Sequence, residues 1–286
     1  MLRVGRSSCG FALNEESFQE LSAAGIQEIE ISLSYNKYAD LNYPAVKALA
    51  DQYGINLWSY HLPFGGLNAM DIASKDEDMR KRSVACWGEL IKKGAEIGIQ
   101  KFIAHPSSEP KAENEDERKR ELDQSMRSLQ TLAEIAGANG GVIAVENLPR
   151  TCLGRTSDEM LLLTSADSRL KICFDTNHLL AEDLYGFLDR IADKIVTLHI
   201  SDYDFVNERH WLPGEGKVDW KRLYTKLLQS GYNGVWMYEV GSKCPKTIIR
   251  DRNLTSADFA RNAYEIFNNE NLTVMGTPKE NLGMWE

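Results

Sequence analysis

Residues 142–200, VIAVENLPRTCLGRTSDEMLLLTSADSRLKICFDTNHLLAEDLYGFLDRIADKIVTLHI, contain three short apolar runs separated by two longer segments with helical spacing. The runs VIAVE (142–146), LKICFD (170–175) and IVTLHI (195–200) are almost continuously apolar, as strands are when a parallel sheet is covered on both faces. Parallel strands need a crossover of about a dozen residues, which is usually a helix. The stretch therefore predicts consecutive βα units in a parallel sheet.

The same alternation extends along the rest of the chain. Further strands are predicted at residues 2–8, 28–33, 56–61, 101–105 and 235–239. Helices are predicted at residues 14–24, 43–53, 76–97, 114–136, 157–165, 181–194, 219–230 and 256–268. Gly54, Gly98, Gly137 and Gly231 each follow a predicted helix and are predicted to be left-handed caps.

Eight strands alternating with eight helices predict an α/β fold, a single (β/α)8 TIM barrel with a parallel eight-stranded sheet. The barrel is expected over residues 1–268, with residues 269–286 as a C-terminal surface extension. An open doubly wound sheet is the alternative, but the GxGxxG fingerprint does not follow the first strand.

Composition narrows the class of protein. The 286 residues include 33 basic and 42 acidic side chains, a formal net charge of −9, which argues against nucleic acid or anionic lipid as a partner. No apolar run is long enough to cross a membrane. The five cysteines are widely spaced and form no CxxC pair. We therefore expect a cytoplasmic protein with reduced thiols and with Cys173 in the core. Oligomeric state is not written in any motif, so a homo-oligomer is left open.

Six predicted strands end at or beside a side chain that can bind a metal ion. These side chains are His61, His105, Glu146, Asp175, His199 and Glu239. The carboxyl ends of all strands of a TIM barrel meet on the face that holds the active site, so these side chains are predicted to share one cavity. Carboxylates gathered there would repel one another unless a cation neutralised them.

The other two histidines, His178 and His210, lie just beyond strand ends. Imidazole and carboxylate ligands without thiolates suit Zn, Mn, Co or Fe(II). Glu146, Asp175, His199 and Glu239 suffice for one ion. The additional candidates are His61, His105, His178, Glu208 and His210, and the full set predicts one to three divalent ions per chain.

A series of short motifs at successive strand ends resembles the xylose isomerase-like TIM barrel superfamily. The motifs are HLPF (61–64), AHPS (104–107), VEN (145–147), FDTNH (174–178), LHISD (198–202), ERHWLPGEG (208–216) and YE (238–239). The superfamily includes sugar phosphate isomerases and epimerases and the AP endonuclease family 2 enzymes. In this order the motifs are specific for the superfamily but not for one reaction.

For the sugar enzymes, the resemblance implies one metal ion held by Glu146, Asp175, His199 and Glu239. It also implies that the two glutamates are catalytic, on opposite sides of the sugar, and that His178 and Arg209 bind substrate. For the endonuclease branch it implies three zinc ions on the wider set. The family's DxH aspartate is replaced by Glu208 in this chain, which puts the third zinc site in doubt.

The favoured hypothesis is a metal-dependent isomerase or epimerase of a sugar, sugar phosphate or sugar acid, acting by enediolate proton transfer between Glu146 and Glu239. A multinuclear zinc phosphodiesterase resembling AP endonucleases is the main alternative. A lyase similar to inosose dehydratases and a non-catalytic carbohydrate-binding barrel are the others. The expected partner is a small carbohydrate substrate.

Overall fold

The computed structural model describes residues 1–65 and 70–283 and contains a barrel of eight parallel strands. The strands are Arg3–Ser7 (β1), Glu28–Ile31 (β2), Asn56–His61 (β3), Lys101–Ala104 (β4), Val142–Glu146 (β5), Lys171–Asp175 (β6), Ile195–His199 (β7) and Val235–Tyr238 (β8). They lie side by side in the order β7-β6-β5-β4-β3-β2-β1-β8. The Ile200 N–H donates to the Met237 carbonyl at 2.8 Å and closes the ring. The predicted parallel (β/α)8 barrel is confirmed.

Eight helices surround the strands. They are Glu15–Ala23 (α1), Tyr43–Tyr53 (α2), Glu77–Glu96 (α3), Glu115–Ala138 (α4), Ser157–Leu163 (α5), Leu184–Ile191 (α6), Trp220–Gln229 (α7) and Ser256–Phe267 (α8). Side chains just before the helices accept hydrogen bonds from first-turn N–H groups, as Asp76 does for α3 and Asn114 does for α4. These caps explain why several helices begin one residue later than the patterns predicted.

One of the predicted glycine caps is wrong. Gly54, Gly98 and Gly231 have the left-handed backbone that ends a helix, with φ of 64°, 92° and 84°. Gly137 instead lies inside α4, which continues to Ala138, and Gly140 makes the left-handed turn with φ of 75°. The helix extends past Gly137 because its last turn packs on the neighbouring layer through Ala136, which is fully buried.

Alternation along the strands sorts side chains between the two faces of the barrel wall. Phe174 on β6 stacks on Phe187 of α6, and Trp236 on β8 contacts Trp220 of α7, so these side chains point outward to the helices. Cys173, one residue before Phe174, belongs to a small separate cluster of buried side chains inside the barrel. This position confirms the core assignment of Cys173. All five cysteines are free.

Residues beyond α8 fold back onto the barrel. Gly276–Pro278 (β10) pairs antiparallel with Ile248–Arg250 (β9). Arg250 on β9 forms a buried ion pair with Glu215 in the loop after β7, at 2.5 Å. The predicted extension thus supports that loop through β9, and its last residues, 284–286, lie outside the described residues. The division at residue 268 stays a prediction.

Among the described residues, none of the helices combines the length and apolar character that crossing a membrane requires. The cytoplasmic location stays a prediction.

Asp202, fully buried in the loop after β7, provides a test of what stabilises this loop. Its carboxylate accepts hydrogen bonds from the backbone N–H groups of Tyr203, Gly214 and Val218 and from the Trp220 indole. Asp202→Ala leaves these buried donors without an acceptor, so we expect the free energy of unfolding to fall by about 2–4 kcal/mol. The measurement is urea unfolding in the presence of a chelator.

The control is Asp51→Asn, which alters an exposed carboxylate on α2 and should change the free energy of unfolding by less than about 0.5 kcal/mol. Equal stability of the Asp202→Ala and Asp51→Asn proteins would contradict the role assigned to Asp202.

Candidate metal centre

The inward-facing ends of neighbouring strands bring the predicted metal ligands together. Glu146 lies two residues beyond Ala144, and Asp175 two residues beyond Cys173, so both continue the inner face of the barrel. His199 ends β7, and Glu239 directly follows β8. Ligand atoms of these four residues all lie within 4.8 Å of one another. The structure therefore gathers all four at one point above the barrel interior.

Distances within this group suit a cation. His199 Nδ1 lies 3.0 Å from Glu146 Oε1, 3.6 Å from Glu239 Oε2 and 3.7 Å from Asp175 Oδ2. Asp175 Oδ2 is buried and has no hydrogen-bond donor among the described residues. A buried carboxylate oxygen without a donor is costly unless a positive charge lies beside it. These residues therefore fit a divalent metal ion, although their role as ligands stays a prediction.

The carboxyl groups differ in their pKa values. Burial opposes ionisation of Glu146, but His199 and His105 more than offset it and hold its pKa well below the ordinary value. Burial and the nearby Glu146 raise the pKa of Asp175 well above its ordinary value. Burial raises the pKa of Glu239 to about 7, and the charges of Asp175 and Glu146 add to this rise. Protons and a metal ion therefore compete for the oxygens of Asp175 and Glu239.

Hydrogen bonds orient the imidazoles around the cavity. In three histidines Nδ1 lies against a backbone carbonyl, which directs Nε2 away from the chain: Leu62 for His61 at 2.8 Å, Asn147 for His178 at 2.9 Å and Glu239 for His210 at 3.2 Å. Histidines that bind metals use such contacts to fix the tautomer and the ring orientation.

Two more groups of candidate ligands flank the central one. His61 Nε2 and His105 Nε2 lie 3.2 and 3.1 Å from the same oxygen of Glu146. On the other side, His178, Glu208 and His210 form a second group. Although burial opposes its ionisation, the positive charges of His178, His210 and Arg150 lower the pKa of Glu208. The structure thus brings together all nine predicted ligands in three adjoining groups.

Arg209 does not reach this cavity, although its sequence neighbours do. Its Nε donates to Asp204 Oδ2 at 2.8 Å and its Nη2 to the Gly283 carbonyl at 2.8 Å. Arg150 lines the cavity instead, and its guanidinium pairs with Glu208 at 2.8 Å and with Glu109 at 2.9 Å. The motifs do not single out Arg150, yet its place four residues after Glu146, in the loop following β5, is a usable signal.

A second residue that the motifs do not indicate is Glu30, at the end of β2. Its side chain is fully buried, and both carboxylate oxygens accept from His199 Nε2, at 3.0 and 3.1 Å. The alternation EIEI at residues 28–31 is the signal that could have revealed it, because it assigns Glu28 and Glu30 to one face and the isoleucines to the other.

The metal group forms part of the floor of a cavity of about 290 Å³. Polar lining comes from Glu146, Glu239, His178, His210 and Arg150, and apolar lining from Phe64, Ile72, Trp87 and Leu148. This volume is at the lower end of the range for small-molecule sites, and apolar walls with a few convergent polar groups are typical of them. The cavity is therefore suited to a compact polar ligand placed over the carboxylates.

Comparison with known proteins agrees with this architecture. A family model described as a xylose isomerase-like TIM barrel matches residues 18–262. The D-psicose 3-epimerase of Ruminiclostridium cellulolyticum is 27% identical over 228 residues, which are 76% of this chain and 74% of that protein. A probable endonuclease 4 of Thermoplasma acidophilum is 25% identical over 193 residues, 61% of this chain but only 64% of its own length.

Among solved structures, a D-tagatose 3-epimerase-like protein has a TM-score of 0.79 and 23% identity, covering 94% of this chain and 97% of that one. At this level of identity the likeness concerns the fold. The family model covers most of the chain, and the chain belongs to the xylose isomerase-like TIM barrel family, as its strand-end motifs predicted.

Proposed function

We propose that the protein is a divalent-metal-dependent sugar epimerase that inverts the carbon next to the carbonyl of a ketose. The observation that carries the proposal is the pair Glu146 and Glu239, which share one metal group but differ strongly in their affinity for protons. Two carboxyl groups whose pKa values are pushed apart suit the roles of base and acid. The similarity to D-psicose 3-epimerase supports a ketose as the substrate class.

The two glutamates come from different parts of the barrel wall. Glu146 ends β5 and Glu239 follows β8, with β6 and β7 between them. Their carboxyl groups thus enter the cavity from different directions, as inversion requires. In the forward direction the Glu146 carboxylate removes the proton on one face of the sugar, and the Glu239 carboxyl delivers a proton to the other face.

The metal ion would be held by Glu146, Asp175, His199 and Glu239, with Mn, Co, Zn or Fe(II) as candidates. When bound, it supplies a Lewis acid that stabilises the negative charge of the enediolate. The chain itself excludes water with Phe64, Trp87 and Leu148. His178, whose Nδ1 is fixed on the Asn147 carbonyl, contributes a donor or acceptor at Nε2 for a sugar oxygen.

A multinuclear zinc hydrolase is the second candidate, favoured by the two flanking groups, His61–His105–Glu146 and His178–Glu208–His210. The similarity to an endonuclease 4 supports it. Against it, Arg150 at the cavity is already paired with two carboxylates, which leaves less positive charge for DNA phosphates. A dehydratase would use the same enediolate and is distinguished by loss of water from the product.

Metal content separates the first two functions. We expect one tightly bound divalent ion per chain and no cleavage of an abasic DNA duplex. The measurement is elemental analysis after dialysis, paired with a nuclease assay in excess zinc. Three tightly bound zinc ions, together with cleavage that a chelator abolishes, would establish the hydrolase instead.

Proton transfer is tested by Glu239→Gln. At saturating Mn²⁺, we expect epimerisation of D-psicose or D-tagatose and incorporation of solvent deuterium into the sugar to fall by about 10²- to 10⁴-fold, because the amide cannot exchange the proton. NMR follows both reactions. Glu89→Gln, on the exposed surface of α3, is the matched control and should retain full activity. A metal-loaded Glu239→Gln protein with unchanged deuterium incorporation would contradict the mechanism.

The raised pKa of Glu239 predicts pH-dependent metal binding. Below about pH 7 its carboxyl group holds a proton that the metal must displace, and above it the carboxylate is free. From this group alone, the affinity for Mn²⁺ should rise about tenfold between pH 6 and pH 8. Calorimetric titrations at both values measure the effect, and Glu239→Gln should lack this contribution. Affinity that is constant or falls with pH would refute the assignment.

A further inference from the structure

We propose that Glu30 is a positioning residue for the metal centre: it keeps a hydrogen on Nε2 of His199, so that Nδ1 faces the three metal-binding carboxylates. This inference rests on the proposed function, since it assumes a metal at Glu146, Asp175 and Glu239. Glu30 itself belongs to none of the candidate ligand groups found among the described residues.

Geometry at the two ring nitrogens of His199 supports this role. On one side both Glu30 oxygens lie 3.0–3.1 Å from Nε2. On the other side Nδ1 lies 3.0 Å from Glu146 Oε1 and within 3.7 Å of the other two carboxylates. A carboxylate can only accept, so Nε2 must carry the hydrogen. The lone pair available for a metal is then the one on Nδ1.

The contact spans the barrel interior. Glu30 ends β2 and His199 ends β7, and β8 and β1 lie between these strands in the ring. Both side chains are fully buried. Ser59, at the corresponding level of β3, donates its hydroxyl to Glu30 Oε2 at 2.8 Å and fixes the carboxylate from the other side. Ring orientation therefore depends on residues from three strands.

A buried carboxylate placed in this way has a stated chemical effect. It makes the imidazole a stronger electron donor and adds one negative charge just outside the ligand group, and both effects favour a divalent cation. It also prevents the ring from turning over, because a flipped ring would place Nε2–H toward the metal position. Loss of such a partner typically lowers metal affinity by about 10- to 100-fold.

The same strand offers a matched control. Glu28 lies two residues earlier on β2 and is also buried, but it pairs with Arg3 and Asn56 at the opposite end of the barrel. Glu28→Gln therefore makes the same chemical change on the same strand face, away from His199.

The experiment compares the full-length wild type with Glu30→Gln, Glu30→Ala and Glu28→Gln, using Co²⁺ as the probe. Competition with a chelator measures the dissociation constant. Proton NMR of the Co²⁺-loaded proteins follows the exchangeable, paramagnetically shifted N–H resonance of the bound histidine. We expect about 10- to 100-fold weaker binding for both Glu30 variants and wild-type binding for Glu28→Gln. The N–H resonance should exchange rapidly or disappear in Glu30→Ala.

Glu30→Gln keeps the size and an acceptor oxygen, so it provides the affinity test even if Glu30→Ala does not fold. Wild-type Co²⁺ affinity in Glu30→Gln, equal to that of Glu28→Gln, overturns the inference and leaves the epimerase proposal intact. Failure of the wild type to bind Co²⁺ overturns the proposed metal dependence and the inference with it.

Discussion

The structure depends on one electrostatic constraint, the gathering of Glu146, Asp175 and Glu239 around His199 in a buried place. Carboxylates this close cannot all be ionised in a low-dielectric site without compensation. Because each comes from the end of a strand fixed in a closed barrel, the groups cannot relax apart. The site must therefore hold protons or a cation, and the unsatisfied Asp175 Oδ2 favours the cation.

Much of the surrounding polar structure keeps this arrangement in place. Asn147 binds the backbone of Asp175 at both its amide nitrogen and its oxygen, and so joins the ends of β5 and β6. Asn177 Oδ1 accepts from the Arg209 N–H at 3.0 Å and anchors the loop after β7. In that loop His210 has a positive φ of 50°, which few non-glycine residues adopt. Such strain persists where the surrounding contacts impose it, and it is common at functional sites.

The two candidate chemistries use the same central group and differ in its neighbours. Epimerisation needs one ion and two carboxyl groups with different pKa values, whereas multinuclear hydrolysis also needs the flanking imidazole groups filled. His61 and His105 both approach the Glu146 oxygen that His199 does not contact. Glu146 is therefore the residue shared by both chemistries, and occupancy of the flanking groups decides between them.

Several features followed from the sequence alone, because they depend on local periodicity. The apolar runs and helical segments predicted the barrel, and the polar residues at strand ends predicted which side chains meet. Other features required the tertiary structure. Arg150 rather than Arg209 lines the cavity, because the path of each loop decides where a long side chain points. Glu30 contacts His199 across 169 residues of sequence, a pairing that only closure of the barrel creates. Strand patterns specify which face a residue occupies, but a hydrogen bond between distant strands is decided only when the ring closes.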